Sequence, residues 1–320
     1  MTNESLAGYA NLSLYTAMAV FTIAMVCHAV YLAALLPARD RVRVAVTDRD
    51  RELVGAGAPV PTEAPSTRPE LSSRAAKAAG LASTTTWLGG FLLLASVVLR
   101  GVAVHRWPLG NMFEFAVMGS MFTVLAYSIW STRRDLRWLG LFITGPVLLV
   151  LGMAVAVWYT EASELMPSLR SYWLVIHVTV ATLATAVFTI GAALSVVYLL
   201  KDGFERSGRA SVLDRFPQTP AIERTAYSLH IVAFPLWTFT LIAGAIWARQ
   251  AWASYWNWDP KEVWTFVIWV VYAAYLHSRA TSGVSRQTAS YIALAGYACI
   301  IVNFAVVNVF FVGQHSYSGL

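Results

Sequence analysis

The sequence predicts an all-α, polytopic membrane helical bundle with about eight transmembrane helices. Three observations carry this. Of 320 residues, 58% are hydrophobic and only 12% charged, a balance that excludes an ordinary pair of soluble domains. Apolar stretches near the ~20 residues that a helix needs to cross the hydrocarbon layer recur along the chain. Lys and Arg are also unevenly shared between alternate connecting segments, as the retention of basic residues on the cytoplasmic side requires.

The first apolar stretch, 12–36, is preceded by no basic residue and is too long for a signal-peptide core, so it is read as a retained span. Residues 37–80 mix Arg with Asp and then turn Pro-rich (PVPTEAPSTRPE). This composition buries no core, and it is read as a flexible cytoplasmic linker. Further spans are expected at 84–104, 112–131, 138–158 and 172–200. The inner loop after them ends in Thr219-Pro220, a helix start for the sixth span at 225–248. The last two are 264–278, which reaches across only if its capped start lies among the headgroups, and 289–312. No internal repeat is visible.

With the N-terminus outside, the inner segments hold 18 of the 23 Lys and Arg, which puts the C-terminus outside as well. The net charge of +6 then reflects topology. Its basic residues are spread over four inner loops and form no nucleic-acid stripe. Cys27 and Cys299 lie inside spans and make no CxxC, so thiol chemistry has to come from a partner.

Polar structure on the outer face gathers in HRWPLGNMFEF (105–115), YTEASELMPSLRSYW (159–173), AWASYWNWDPKEVW (251–264) and the tail GQHSYSGL. In the third, Asp259, Pro260 and Glu262 form a capping box that opens the seventh span. Trp252 and Trp256, at i and i+4, would share a face of a short interfacial helix, with Trp258 beside them. Either a platform for a flat ligand or an aromatic belt at headgroup depth accounts for them.

The histidines are His28, His105, His177, His230, His277 and His315. His177, near the outer end of the fifth span, and His315, just past the eighth, sit at the depth of the tryptophans. Two imidazoles and an aromatic surface at one level suit an iron porphyrin, whose metal takes axial nitrogen ligands. His28, His230 and His277 fall in inner halves, where a second site is conceivable. No acid or thiol accompanies them at the spacing of another metal site. A histidine relay for ions or protons is the reading from a different class, but a relay calls for titrating groups near the midplane.

At this point the sequence resembles a known family. Trp252, Trp256, Trp258, Asp259, Lys261 and Glu262 resemble the WWD signature of haem-handling membrane proteins. SYWLVIHV around His177, YLHSR around His277, GQHSY around His315, HRWPLGNMFEF and FPLWTFTLIAGAIWA resemble the CcsA (ResC) branch of System II cytochrome c biogenesis. The resemblance covers residues 81–320, with the WWD segment at 247–264. It implies haem b held by His177 and His315 beside Trp252, Trp256, Trp258 and Asp259. It also implies His277 as this chain's part of an inner haem site shared with a CcsB (ResB) partner. The expected role is presentation of haem, on the outer side of a bacterial plasma membrane, for attachment to the CxxCH segment of an apocytochrome c. The chain would then be the haem-presenting subunit of a holocytochrome c synthase complex and would supply no nucleophile. A System I CcmC-type delivery protein is the nearest alternative, better suited to six spans. Arg100, Arg106 and Lys261 are the outer bases available to the propionates or, equally, to headgroups. Ala253 stands where the family usually has glycine, which is expected to tilt Trp252 slightly, and Gln314 replaces a more usual leucine. His28 and His230 match no family ligand and are read as packing residues.

Overall fold

The computed structural model describes residues 3–56, 73–165, 169–209, 211–281 and 283–315; for 36–56 only the backbone is described. Eight long helices follow one another: α1 (Glu4–Ala56), α2 (Ser73–Ala103), α3 (Met112–Ser131), α4 (Gly140–Ala156), α5 (Tyr172–Arg206), α6 (Thr219–Trp252), α7 (Pro260–Ala280) and α8 (Arg286–Ile301). A π-helical turn, Val302–Val307, and a last turn, Asn308–Phe310, prolong α8. Among the described residues there is no strand.

Among the described residues, seven helices are long and apolar enough to cross a membrane. The remaining one, α7, has 21 residues and so a length of about 31 Å at 1.5 Å per residue. Its capping acids and Lys261, together with its tryptophans and tyrosines, lower its apolar character. The chain is a multi-pass membrane protein.

Residues 37–80, expected as a flexible linker, are helical through Ala56 and again from Ser73, with 57–72 outside the described residues. Between Arg41 and Val54 the sequence holds no Gly or Pro and interleaves Arg with Asp and Glu at helical spacings, which favours a helix that needs no core of its own.

Local sequence starts the helices. Asn111 accepts the Glu114 N–H at the head of α3, Ser171 accepts the Trp173 N–H at α5, and Ser285 accepts the Thr288 N–H at α8. Two apolar cores form. One joins α1 to α4 with the inward face of α5, through Phe21, Leu93, Phe113, Ile143 and Leu194. The other joins α5 to α8 around Phe188, Tyr272 and Tyr275, where the Phe188 and Tyr272 rings stack 3.9 Å apart.

The starts of α1, α3, α5 and α7 meet the ends of α2, α4, α6 and α8 at one end of the bundle, the end read from the sequence as outer. A buried carboxylate organises part of it. Glu114 on α3 accepts Arg100 Nε of α2 at 2.9 Å, both Arg106 Nη donors at 2.9 and 3.1 Å, and the Gly110 N–H at 2.7 Å. Arg100 Nη2 donates to Thr160 O at 2.6 Å and Arg106 to Ser163 O, so the segment after α4 is bound to the 105–111 loop. The buried Arg100 guanidinium and the buried Glu114 carboxylate would each be costly alone; together, and with the half-buried Arg106, they satisfy one another and fix both loops.

Candidate functional site

The WWD segment sits between α6 and α7. Helix α6 stops at Trp252 because Ala253 takes a left-handed conformation, φ 61° and ψ 11°, the geometry of a helix C-cap. Glycine adopts it freely, whereas alanine does so at a cost of about 1 kcal/mol. Trp258, at φ 57°, is a second non-glycine residue of this kind. Trp252 and Trp256 therefore do not share a helical face as the i, i+4 spacing predicts, since the chain leaves the helix between them. Strained residues at both ends of a six-residue loop are a common mark of a functional segment.

Asp259 then caps α7. Its Oδ2 accepts the Lys261 N–H at 3.1 Å, while Glu262 Oε2 reaches back to the N–H groups of Asp259 at 3.2 Å and Asn257 at 2.9 Å. Asp259 also does something the capping pattern does not announce. Its Oδ2 is 2.9 Å from His315 Nδ1, and its Oδ1 accepts the Gln314 N–H at 2.6 Å. Burial works to raise the pKa of the Asp259 carboxyl, but the hydrogen bond and charge of His315 and the two backbone N–H groups hold it below its ordinary value. With His315 neutral, an ionised Asp259 accepting from Nδ1 fixes the tautomer that leaves the lone pair on Nε2. The close approach restricts position 313 to glycine, because a Cβ there would run into the Asp259 carboxylate. Gln314 has a partner as well: its Oε1 accepts Asn257 Nδ2 at 3.2 Å, tying the tail to the WWD loop.

His177 lies in the second turn of α5, its ring against Gly244 of α6, where a Cβ would come within 2.8 Å of Cε1. Among the described residues it makes no hydrogen bond to another side chain, and its buried ring lies beside the Thr240 backbone. The Trp247 indole meets it edge-on, with 5.7 Å between ring centroids. The Trp252 ring meets His315 in the same way at 4.8 Å.

His177 and His315 line a single cavity of about 190 Å³, walled mainly by aromatic and aliphatic groups and closed on one side by the 109–112 segment that Glu114 fixes. Trp256, Lys261 and Glu262 belong to its wall; so do Trp237, Trp247 and Tyr255. The structure thus brings His177, His315, Trp256 and Lys261 together, with Trp252 and Asp259 supporting His315. It sets Trp258 apart: that side chain is 75% exposed and meets Trp256 only edge-on. His277 is exposed near the end of α7 at the other end of the bundle, with Nε2 3.5 Å from Thr281 Oγ1. His105 is exposed and outside the cavity. His28 is buried 3.2 Å from Thr86 Oγ1, and His230 is buried among Phe188, Tyr272 and Tyr275, which fits packing roles. Arg100 and Arg106, read from the sequence as available to propionates or, equally, to headgroups, are already engaged by Glu114.

Trp237, Trp247 and Tyr255 escaped the sequence reading, although Trp237 and Trp247 stand in the FPLWTFTLIAGAIWA stretch that carries part of the family resemblance. The signal was depth: Trp247 lies in the last two turns of α6, level with His177 near the start of α5. The donor set fits an iron porphyrin. Two imidazoles line one aromatic cavity, one held by a carboxylate on its far nitrogen and the other, among the described residues, without a competing side-chain partner.

A fold of eight long helices with this site at one end defines a class, the cytochrome c assembly proteins, whose family model matches residues 107–315. Among curated proteins, the chain is similar to the cytochrome c biogenesis protein CcsA of Prochlorococcus marinus (strain MIT 9303), 32% identical over 72% of this chain and 81% of that one. The protein of the same name from Guillardia theta is 29% identical over 72% of this chain and 85% of that one. The protein belongs to the CcsA family. Among solved structures, the cytochrome c haem lyase CcmF superposes with a TM-score of 0.59 at 16% identity, over all of this chain and 48% of that one, a likeness of fold.

Proposed function

We propose that this protein acts in cytochrome c biogenesis by holding haem b at the outer face of a bacterial plasma membrane, both termini outside, and presenting it to an apocytochrome c. The observation that carries the reading is the single aromatic cavity shared by His177 and His315, with Asp259 on the far nitrogen of His315. His177 and His315 would hold the haem iron through their ring nitrogens. Trp256, Trp247 and Tyr255 supply apolar faces that exclude water from the macrocycle, and Trp252 packs on the His315 ring to limit its rotation.

When bound, haem supplies two vinyl groups. Each cysteine thiol of a CxxCH segment adds across one of them, the sulfur bonding to one vinyl carbon and the hydrogen going to the other. No side chain of this protein acts as nucleophile. Its contribution is to orient one partner for an encounter that is otherwise bimolecular. The protein is the haem-presenting subunit of a holocytochrome c synthase, acting with a CcsB/ResB-like membrane partner. His277, exposed near the end of α7, is this chain's contribution to an inner haem site completed by that partner.

The test is haem content. The protein, expressed with its partner under haem-replete conditions and purified, should carry haem measurable as pyridine haemochrome and should support maturation of a co-expressed CxxCH apocytochrome. A colourless, haem-free preparation that leaves the apocytochrome unmodified would sink this reading and favour ion or proton transport.

A further inference from the structure

We propose that Lys261 is the carboxylate-binding group of the cavity and fixes which way round the porphyrin lies; this rests on the haem reading above. Five basic residues stand at this end of the bundle, and four are occupied elsewhere. Arg100 and Arg106 are paired with Glu114, Arg170 with Glu164, and Arg249 donates to Ala253 O at 2.8 Å. Lys261 alone of the five lines the cavity.

Its surroundings are built rather than incidental. The π-helical turn Val302–Val307 departs from the regular α-helical hydrogen-bond ladder, and two of its carbonyls are taken up by side chains. Asn303 O accepts Lys261 Nζ at 2.9 Å, and Phe304 O accepts Asn308 Nδ2 at 2.9 Å. The ammonium is thereby held at a set point in the wall. An ammonium group has three donors, and this contact uses one. Among the described residues Lys261 forms no ion pair. Glu262 also lines the cavity, but its Oε2 is committed to the N–H groups of Asn257 and Asp259. Asp259, the other nearby acid, turns its oxygens to His315 and Gln314.

Burial pulls the pKa of the Lys261 amine down to about 7, so an anion that enters beside its spare donors, in an otherwise apolar cavity, is stabilised by it and in turn favours its charged form. The ligand chemistry that matches is a carboxylate on the edge of a flat apolar ring. Pinning that edge leaves the rest of the ring to the aromatic wall and determines which edge faces the incoming thiols. Lys261 is in this sense a positioning residue for the addition.

The experiment uses the full-length protein with its partner in detergent, stripped of haem, and compares ferric haem with haem dimethyl ester. The ester keeps the iron, ring and vinyl groups but has no carboxylate charge. The parent protein should bind haem about ten- to a hundredfold tighter than the ester, the range of one charge-assisted contact. Lys261→Met should lose that preference by weakening haem and leaving the ester unchanged, and Lys261→Arg should keep most of it. Equal binding of haem and ester by the parent would overturn the inference. So would a Lys261→Met protein that loses both ligands by the same factor, because that result assigns Lys261 to bracing the π-helical turn. A parent that binds neither ligand refutes the haem reading itself.

Discussion

Replacing Asp259 separates the two roles that the structure assigns to it. Judged as a helix cap, Asp259→Asn or Asp259→Ser should be mild, since both residues cap well. The structure predicts otherwise. Three donors converge on the carboxylate: the Lys261 N–H and His315 Nδ1 on Oδ2, and the Gln314 N–H on Oδ1. An asparagine offers one oxygen and one NH₂. With the oxygen in the Oδ2 position the cap survives, but the NH₂ faces the Gln314 N–H at a contact of 2.6 Å, donor against donor. With the amide reversed the cap is lost, and His315 must accept at Nδ1, which puts its proton on Nε2, the nitrogen needed for iron. Either way a charge-assisted bond of about 1.5–3 kcal/mol disappears. Loss of a carboxylate behind a metal-binding histidine typically lowers affinity about ten- to a hundredfold. Asp259→Asn should therefore weaken haem binding by that factor while costing α7 little, and Asp259→Ala should add the loss of a cap, about 0.5–2 kcal/mol. Haem titration gives the first quantity and thermal unfolding of the detergent-solubilised protein the second. Should Asp259→Asn bind haem as tightly as the parent, the link from Asp259 through His315 to the ligand is wrong.

Trp256→Ala should sharply reduce haem per protein, with Trp256→Phe milder, while Trp258→Ala should leave it near the parental value, because only the first side chain walls the cavity; equal losses in the two alanine variants would contradict the geometry. Glu114→Gln should lower thermal stability by about 3–5 kcal/mol, since it leaves the buried Arg100 and the half-buried Arg106 without a counter-charge. An unchanged unfolding midpoint would show that the cluster is solvated. His277→Ala should reduce haem delivered to the outer cavity of the complex without altering the fold, whereas full occupancy would remove His277 from the route.

Much of this was legible in the sequence. The capping box at Asp259 and Glu262 is written in a few neighbouring residues, so reading it needs no tertiary information. The shared depth of His177 and His315 followed from span boundaries alone. The rest depends on contacts distant in the chain. The pairing of Asp259 with His315 spans 56 residues, and nothing in either short segment specifies the other. The π-helical turn in VNFAVV carries no glycine or proline to announce it. Arg100 and Arg106 looked available because Glu114 reads as a first-turn acid of α3, and only packing shows that it turns inward to both of them. The tryptophans divided for a similar reason. Their spacing suits one helix face, but the left-handed Ala253 ends the helix first and sends Trp256 to the cavity and Trp258 outward.

The most direct measurement of the central claim is the axial ligation of haem in the purified complex, read by absorption and electron paramagnetic resonance in the parent and in His177→Gly and His315→Gly. Two imidazole nitrogens on iron make the parent six-coordinate and low-spin. Each glycine variant should lose haem or shift to a high-spin form, and added imidazole should restore the low-spin spectrum by filling the vacated position. Variants that keep the parental spectrum and haem content without imidazole would show that His177 and His315 are not the ligands.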